Sequence, residues 1–157
     1  MRALAARINE RFARDDYVPI ILKIEHQEPE QVYEYYRAAD VCIVSSLHDG
    51  MNLVAKEFVA ARDDERGVLI LSQFTGASRE LPEALIVNPY DIDQCAAALH
   101  IALTMPQNEQ RDRMRTMRGL VREFNVYRWA GRMLLDAASM RRRGRLLEKA
   151  PNREQRT

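Results

Sequence analysis

The sequence predicts an α/β fold, a Rossmann-like parallel sheet with helices on both faces. Three observations point there. The runs VPIILKIE, VCIVS and VLILS are short and almost wholly apolar, which suits strands covered on both sides rather than strands with one wet face. Between them lie segments whose apolar residues recur at helical spacing. Strand and helix alternate along the chain, as in βαβ units.

The elements follow in order. Leu4, Ile8 and Phe12 form a stripe that predicts a helix packed on one side. Residues 18–25 (VPIILKIE) read as a buried strand. A helix opened by Pro29 runs to Arg37, and 41–45 (VCIVS) is the next strand. After DGMNL a helix covers 54–62, and Arg66-Gly67 turns the chain into the strand 68–72 (VLILS). A shorter strand, ALIVN, ends at Asn88-Pro89. Asp91 and Gln94 make a capping box for a helix whose face is Ile92, Cys95, Leu99 and Leu103 and which stops near Pro106. Helices over 108–123 and 126–141 complete an expected domain of residues 1–141. There are no internal repeats.

Residues 142–157 are expected as a basic, disordered tail. Met140 to Thr157 hold seven Lys or Arg against two Glu, without the interleaved aromatics of a nucleic-acid arm. No nucleic-acid partner is therefore expected. The 157 residues are 46% hydrophobic and 30% charged with a net charge of +1, the balance of one globular domain with an adequate core. No run approaches the ~20 apolar residues that cross a bilayer, and the N-terminus lacks an apolar leader. Neither a membrane partner nor secretion is expected, and the location is read as cytoplasmic. Cys42 and Cys95 sit among apolar neighbours and read as buried free thiols.

In open parallel sheets, ligands bind outside the carboxyl ends of the strands. Here those loops contain SLHDGMN, QFTGAS and PYD. The first of them leaves a strand and enters a helix through Asp49-Gly50, where glycine lets the backbone turn tightly. Amides of Met51, Asn52, Leu53 and Val54 would then project from the first helical turn, where the helix dipole adds positive character. That is a seat for phosphate. Glu57 lies one turn beyond Leu53, about 6 Å along the axis at 1.5 Å per residue, a spacing comparable to that between diphosphate and ribose. Asp49 and Glu57 stand eight residues apart and bracket the helix start. The residues alone leave two readings open: two acids gripping a nucleotide sugar, or a helix cap and a solvated surface acid.

The stretch from Ala39 to Pro106, with DGMNLVAKE at its centre, closely resembles the trehalose-6-phosphate synthase family, and the likeness extends from the first helix to Trp129. Those enzymes are retaining glycosyltransferases of the GT-B type, with two facing Rossmann-like domains. The resemblance implies that this chain is part of the C-terminal, donor-binding half, lacking its first strand and phosphate-clamp loop. It implies transfer of glucose from UDP-glucose to glucose 6-phosphate, in trehalose biosynthesis. Relatives on the same scaffold use other acceptors such as glycerol 3-phosphate, and a non-catalytic binding module is a further alternative.

Carried over by position, the resemblance has Asp49 holding donor-sugar hydroxyls, the catalytic role assigned here. Amides of Gly50, Met51 and Asn52 would reach the same sugar, those of Leu53 and Val54 the diphosphate, and Glu57 the ribose. It implies no metal and no cofactor beyond the nucleotide sugar, with the leaving diphosphate assisting front-face attack by the acceptor. A homo-oligomer is compatible with the sequence. Elsewhere the pattern departs. His48 stands where the family has arginine, and Ser45-Ser46 where Thr-Pro is common. Leu22 to His26 ends a strand near the family's base site, but His26 reads as a surface residue. Glu80, in the GASREL loop, is equally structural or functional, and Trp129 reads as core. The family's Arg/Lys diphosphate clamp and its N-terminal acceptor domain have no counterpart in these residues. Losing two charge-assisted contacts at about 1.5–3 kcal/mol each leaves the 157-residue chain expected to be catalytically incompetent alone.

Overall fold

The computed structural model describes residues 1–148, with side chains to 141. The described residues divide into two compact units, residues 1–32 and the residues from Tyr33 onward. In the first, α1 (Arg2–Phe12) is followed by an extended stretch. Asn9 fixes that stretch: its Nδ2 donates to Ile20 O at 2.8 Å and its Oδ1 accepts from Ile20 N at 2.9 Å. The expected strand over 18–25 is not formed. A strand exists only by pairing, and these residues join no ladder among those described, with Ile21 78% and Ile24 57% exposed. Apolar composition there carried no information about a partner.

The second unit holds the sheet. α2 (Pro29–Ala38) leads into β1 (Val41–Val44), α3 (Leu53–Ala61), β2 (Val68–Ser72), a short 3-10 turn (Gly76–Arg79), β3 (Leu85–Val87), α4 (Ile92–Thr104), α5 (Gln107–Glu123) and α6 (Val126–Glu148). The strands are parallel in the order β1-β2-β3, with Val41 opposite Val68 and Ile70 opposite Leu85. α6 runs past the expected end at Arg141, because Arg, Leu and Glu are strong helix formers and the lone Gly144 costs only about 1 kcal/mol. The expected tail therefore loses residues 142–148 to the helix, and its remainder, 149–157, lies outside the described residues.

β2 is buried throughout, and its alternating side chains feed two cores. Leu69 and Leu71 pack with Phe58, Val59, Met114 and Met117 on the face covered by α3 and α5. Val68 and Ile70 pack with Ala98, Ala102 and Met105 on the face covered by α4. Helices on both faces were expected, and this is the reason Val68 to Leu71 are all apolar, with Ser72 the one polar residue at the strand's carboxyl end. Cys42 joins the first core and Cys95 the second, so both are free and the sheet separates them; each is half-buried, and burial pushes the Cys42 thiol up to about 11. Asp91 caps α4 by accepting from Gln94 N at 2.9 Å. The other half of the expected box is missing, since Gln94 Oε1 turns to Asn88 N instead.

Leu69→Ala should cost about 2–5 kcal/mol in urea unfolding, because a fully buried leucine leaves a cavity between rigid layers. Ile43→Ala, at a β1 position that is 50% exposed, should cost well under half as much.

Candidate functional site

The loops after the three strands lie together. Asp49 N donates to Phe74 O at 3.2 Å and Gly76 N donates to Asp49 O at 3.2 Å, so the β1 and β2 loops continue the parallel pairing beyond the sheet. Ala77 N donates to Met51 O at 3.1 Å. The Phe74 and Tyr90 rings meet edge to face at 5.9 Å, which joins the β3 loop to the others. Thr75 and Ser72, both buried, close the β2 loop through Thr75 Oγ1 donating to Ser72 O at 2.9 Å.

The turn into α3 is made by Asn52 rather than Gly50. Asn52 adopts the left-handed conformation, φ 64°, which asparagine tolerates better than most side chains. Buried to 6% exposure, it is the N-cap, its Oδ1 accepting from Ala55 N at 2.9 Å. Its Nδ2 donates to Asp49 Oδ2 at 2.9 Å and to Ser46 Oγ at 3.4 Å. Asp49 Oδ1 accepts from Asn52 N at 3.2 Å. Asp49 is thus half-buried and held, but it is not the helix cap.

These bonds sort the amides at the helix start. Four N–H groups of a helix's first turn have no partner within the helix. The Asn52 amide is taken by Asp49 and the Ala55 amide by the cap, which leaves Leu53 and Val54 with no acceptor among the described residues. The expected row of four open amides from Met51 to Val54 therefore lacks Asn52, because a carboxylate three residues upstream reaches it first. Gly50 and Met51 are exposed at the tip of the turn.

Glu57, four residues beyond Leu53, is half-buried and accepts a hydrogen bond at 3.2 Å from the Tyr36 hydroxyl of α2. No local pattern signals this pair, since the partners are 21 residues apart on different helices. Tyr36 leans edge-on against Phe58 with ring centroids 6.2 Å apart. Burial, and then the negative charge of Glu57, raise the Tyr36 hydroxyl well above the ordinary tyrosine value, so it stays protonated as a donor.

Other singled-out positions are less central. Glu80 pairs with Lys56 Nζ at 2.7 Å, tying the 3-10 turn to α3. His48 and His26 are exposed. Trp129, expected in the core, is 53% exposed on α6 beside Tyr127 at 83%. Residue type alone had read it as core, but burial needs an element to face.

The model of glycosyltransferase family 20 matches residues 1–139. Trehalose-6-phosphate synthase of Klebsiella pneumoniae is 45% identical over 137 residues, covering 87% of this chain and 29% of that protein. Among solved structures, a UDP-forming α,α-trehalose-phosphate synthase of Burkholderia xenovorans in complex with glucose-6-phosphate is 47% identical with a TM-score of 0.83, over 86% of this chain and 30% of that one. An E. coli trehalose-6-phosphate structure bound with UDP-2-fluoro glucose is 42% identical with a TM-score of 0.83, again over 86% and 30%. The chain thus spans under a third of the length of the relatives it matches.

The stitched loops give a steric test. A Cβ on Gly76 would lie 2.0 Å from Gly50 O, whereas one on Gly50 would meet nothing within 4 Å. Gly76→Ala should cost about 1–3 kcal/mol or more and speed amide exchange at Gly76 and Ala77, while Gly50→Ala should be close to neutral in urea unfolding and in exchange alike.

Proposed function

The chain belongs to glycosyltransferase family 20, and on that premise we propose that it is the donor-binding part of a retaining hexosyltransferase of the trehalose-6-phosphate synthase type. The donor is UDP-glucose and the acceptor glucose 6-phosphate. The reaction runs in the cytoplasm and needs no metal or cofactor beyond the nucleotide sugar. Among the described residues no helix is long and apolar enough to cross a membrane. The ligands named for the E. coli and Burkholderia xenovorans structures support this choice of donor and acceptor.

One observation carries the reading: the capping bonds of Asn52 and Asp49 leave Leu53 and Val54 as the open amides of α3, one turn before Glu57. In the proposed complex the donor diphosphate sits on those two amides, where the helix dipole favours anions. Glu57 accepts from the ribose hydroxyls. Asp49, with the amides of Gly50, Met51 and Asn52, holds the glucose. Asn52 N donates to Asp49 at 3.2 Å, so a sugar oxygen at that amide takes the place of this bond. As the glycosidic bond breaks, negative charge accumulates on the diphosphate, and fixed amide dipoles stabilise it without reorganising. The acceptor's proton passes to that departing diphosphate. An upstream acceptor domain and a basic diphosphate clamp complete the enzyme, and without them these residues bind donor but do not turn it over.

Titration of the folded chain with UDP-glucose, followed by amide NMR, should shift Leu53 and Val54 first. Asp49→Ala and Glu57→Ala should each weaken binding about tenfold or more, the scale of a hydrogen bond to a charged group. Unchanged affinity in both variants would overturn the assignment.

A further inference from the structure

We infer that Tyr36 is a positioning residue for Glu57, its hydroxyl pinning one carboxylate oxygen so that the group presents a fixed acceptor pair to a nucleotide ribose carrying both hydroxyls. The inference rests on the donor site proposed above and names what makes that site selective.

A glutamate side chain turns about three bonds, and on a helix surface it loses conformational freedom whenever it binds. At Glu57 that freedom is already restricted. Oε2 accepts from the Tyr36 hydroxyl at 3.2 Å, which orients the carboxylate plane and leaves Oε1 and the second lone pair of Oε2 for incoming donors. Two vicinal hydroxyls match that geometry; a deoxyribose supplies only one donor.

The pin is itself anchored. Tyr36 packs edge to face on Phe58, whose side chain is fully buried, and on Tyr33 with centroids 6.2 Å apart. The helix end bearing Tyr36 is held by Arg62, whose Nη1 donates to Tyr36 O at 3.0 Å, Arg37 O at 2.8 Å and Ala39 O at 2.6 Å. Arg62 is 4% exposed, and Asp64 accepts from its Nε and Nη2 at 3.0 Å each. Tyr36 therefore reaches Glu57 from a rigid mount. Removal of the hydroxyl alone would leave the ring packing in place.

The experiment compares UDP with 2′,3′-dideoxy-UDP on the folded chain and on Tyr36→Phe, Glu57→Gln and the double variant, by NMR titration. Tyr36→Phe should weaken UDP about three- to tenfold, the range of one hydrogen bond, and leave the dideoxy nucleotide unaffected. In the Glu57→Gln background the same change should have little further effect. Equal weakening of both nucleotides by Tyr36→Phe would mean a merely structural role and overturn the inference. So would no effect of Tyr36→Phe alongside a clear effect of Glu57→Gln, with the donor site itself intact. UDP binding that is absent, or insensitive to Glu57→Gln, would instead bring down the donor-site reading and this inference with it.

Discussion

A guanidinium group with almost no access to water sets the frame for everything around the site. Arg62 follows α3 directly, yet its donors go to the last carbonyls of α2 and to Asp64 in the turn before β2. Three acceptors at a helix C-terminus present concentrated negative dipole, so the charge is compensated where it lies. Such a group is costly to bury and costlier to strip of partners, because what is left is a set of desolvated acceptors. Arg62 also explains Gly67. That residue has φ 84°, and a Cβ there would meet Arg62 Cζ and Phe58 Cζ at 3.3 Å. The chain can turn into β2 against the guanidinium only at glycine, and the start of β2 sets the register of both neighbouring strands. Arg118 does a similar service for α3, donating to Val59 O at 3.0 Å and Ala60 O at 2.8 Å.

With the sheet register set, the loops beyond it inherit their positions. The β1 and β2 loops pair as if the strands continued, so closely that Gly76 and the Gly50 carbonyl touch. The left-handed turn then falls on Asn52, whose polar side chain offsets its backbone strain with bonds to Ser46, Asp49 and Ala55. A glycine at position 52 would have made the turn more easily but could not have tied these three residues together. Strain and order at one residue thus decide which amides of α3 remain open.

Much of this was legible in the sequence, and the reason is range. VCIVS, VLILS, the helix after DGMNL and the capping role of Asp91 are stated by residues close together in the chain, and the structure bears them out. What was misread depended on partners the pattern does not encode. VPIILKIE has the composition of a strand, but a strand needs a ladder; Trp129 has the character of a core residue, but no core forms over it. Gly50 drew attention as the flexible residue when the conformational demand fell two positions later, on a side chain able to satisfy it with hydrogen bonds. Tyr36 left no trace because its role exists only once α2 and α3 pack.

The arithmetic of α3 shows why core and candidate site cannot drift apart. At about 100° per residue, Ala55, Phe58 and Val59 turn inward, and all three are fully buried. Leu53, Val54 and Glu57 fall toward the outer side, with Leu53 and Glu57 about 40° apart after one turn. Glu57 is adjacent in sequence to the ring that carries Tyr36, so the carboxylate and its pin are registered by the same buried phenylalanine. Shifting the helix by one residue to regain a lost core contact would rotate Glu57 away from Tyr36 and replace the open amides with different ones. The packing that stabilises α3 is therefore also what holds its outer face in place, and a core substitution at Phe58 would disturb Glu57 without touching it.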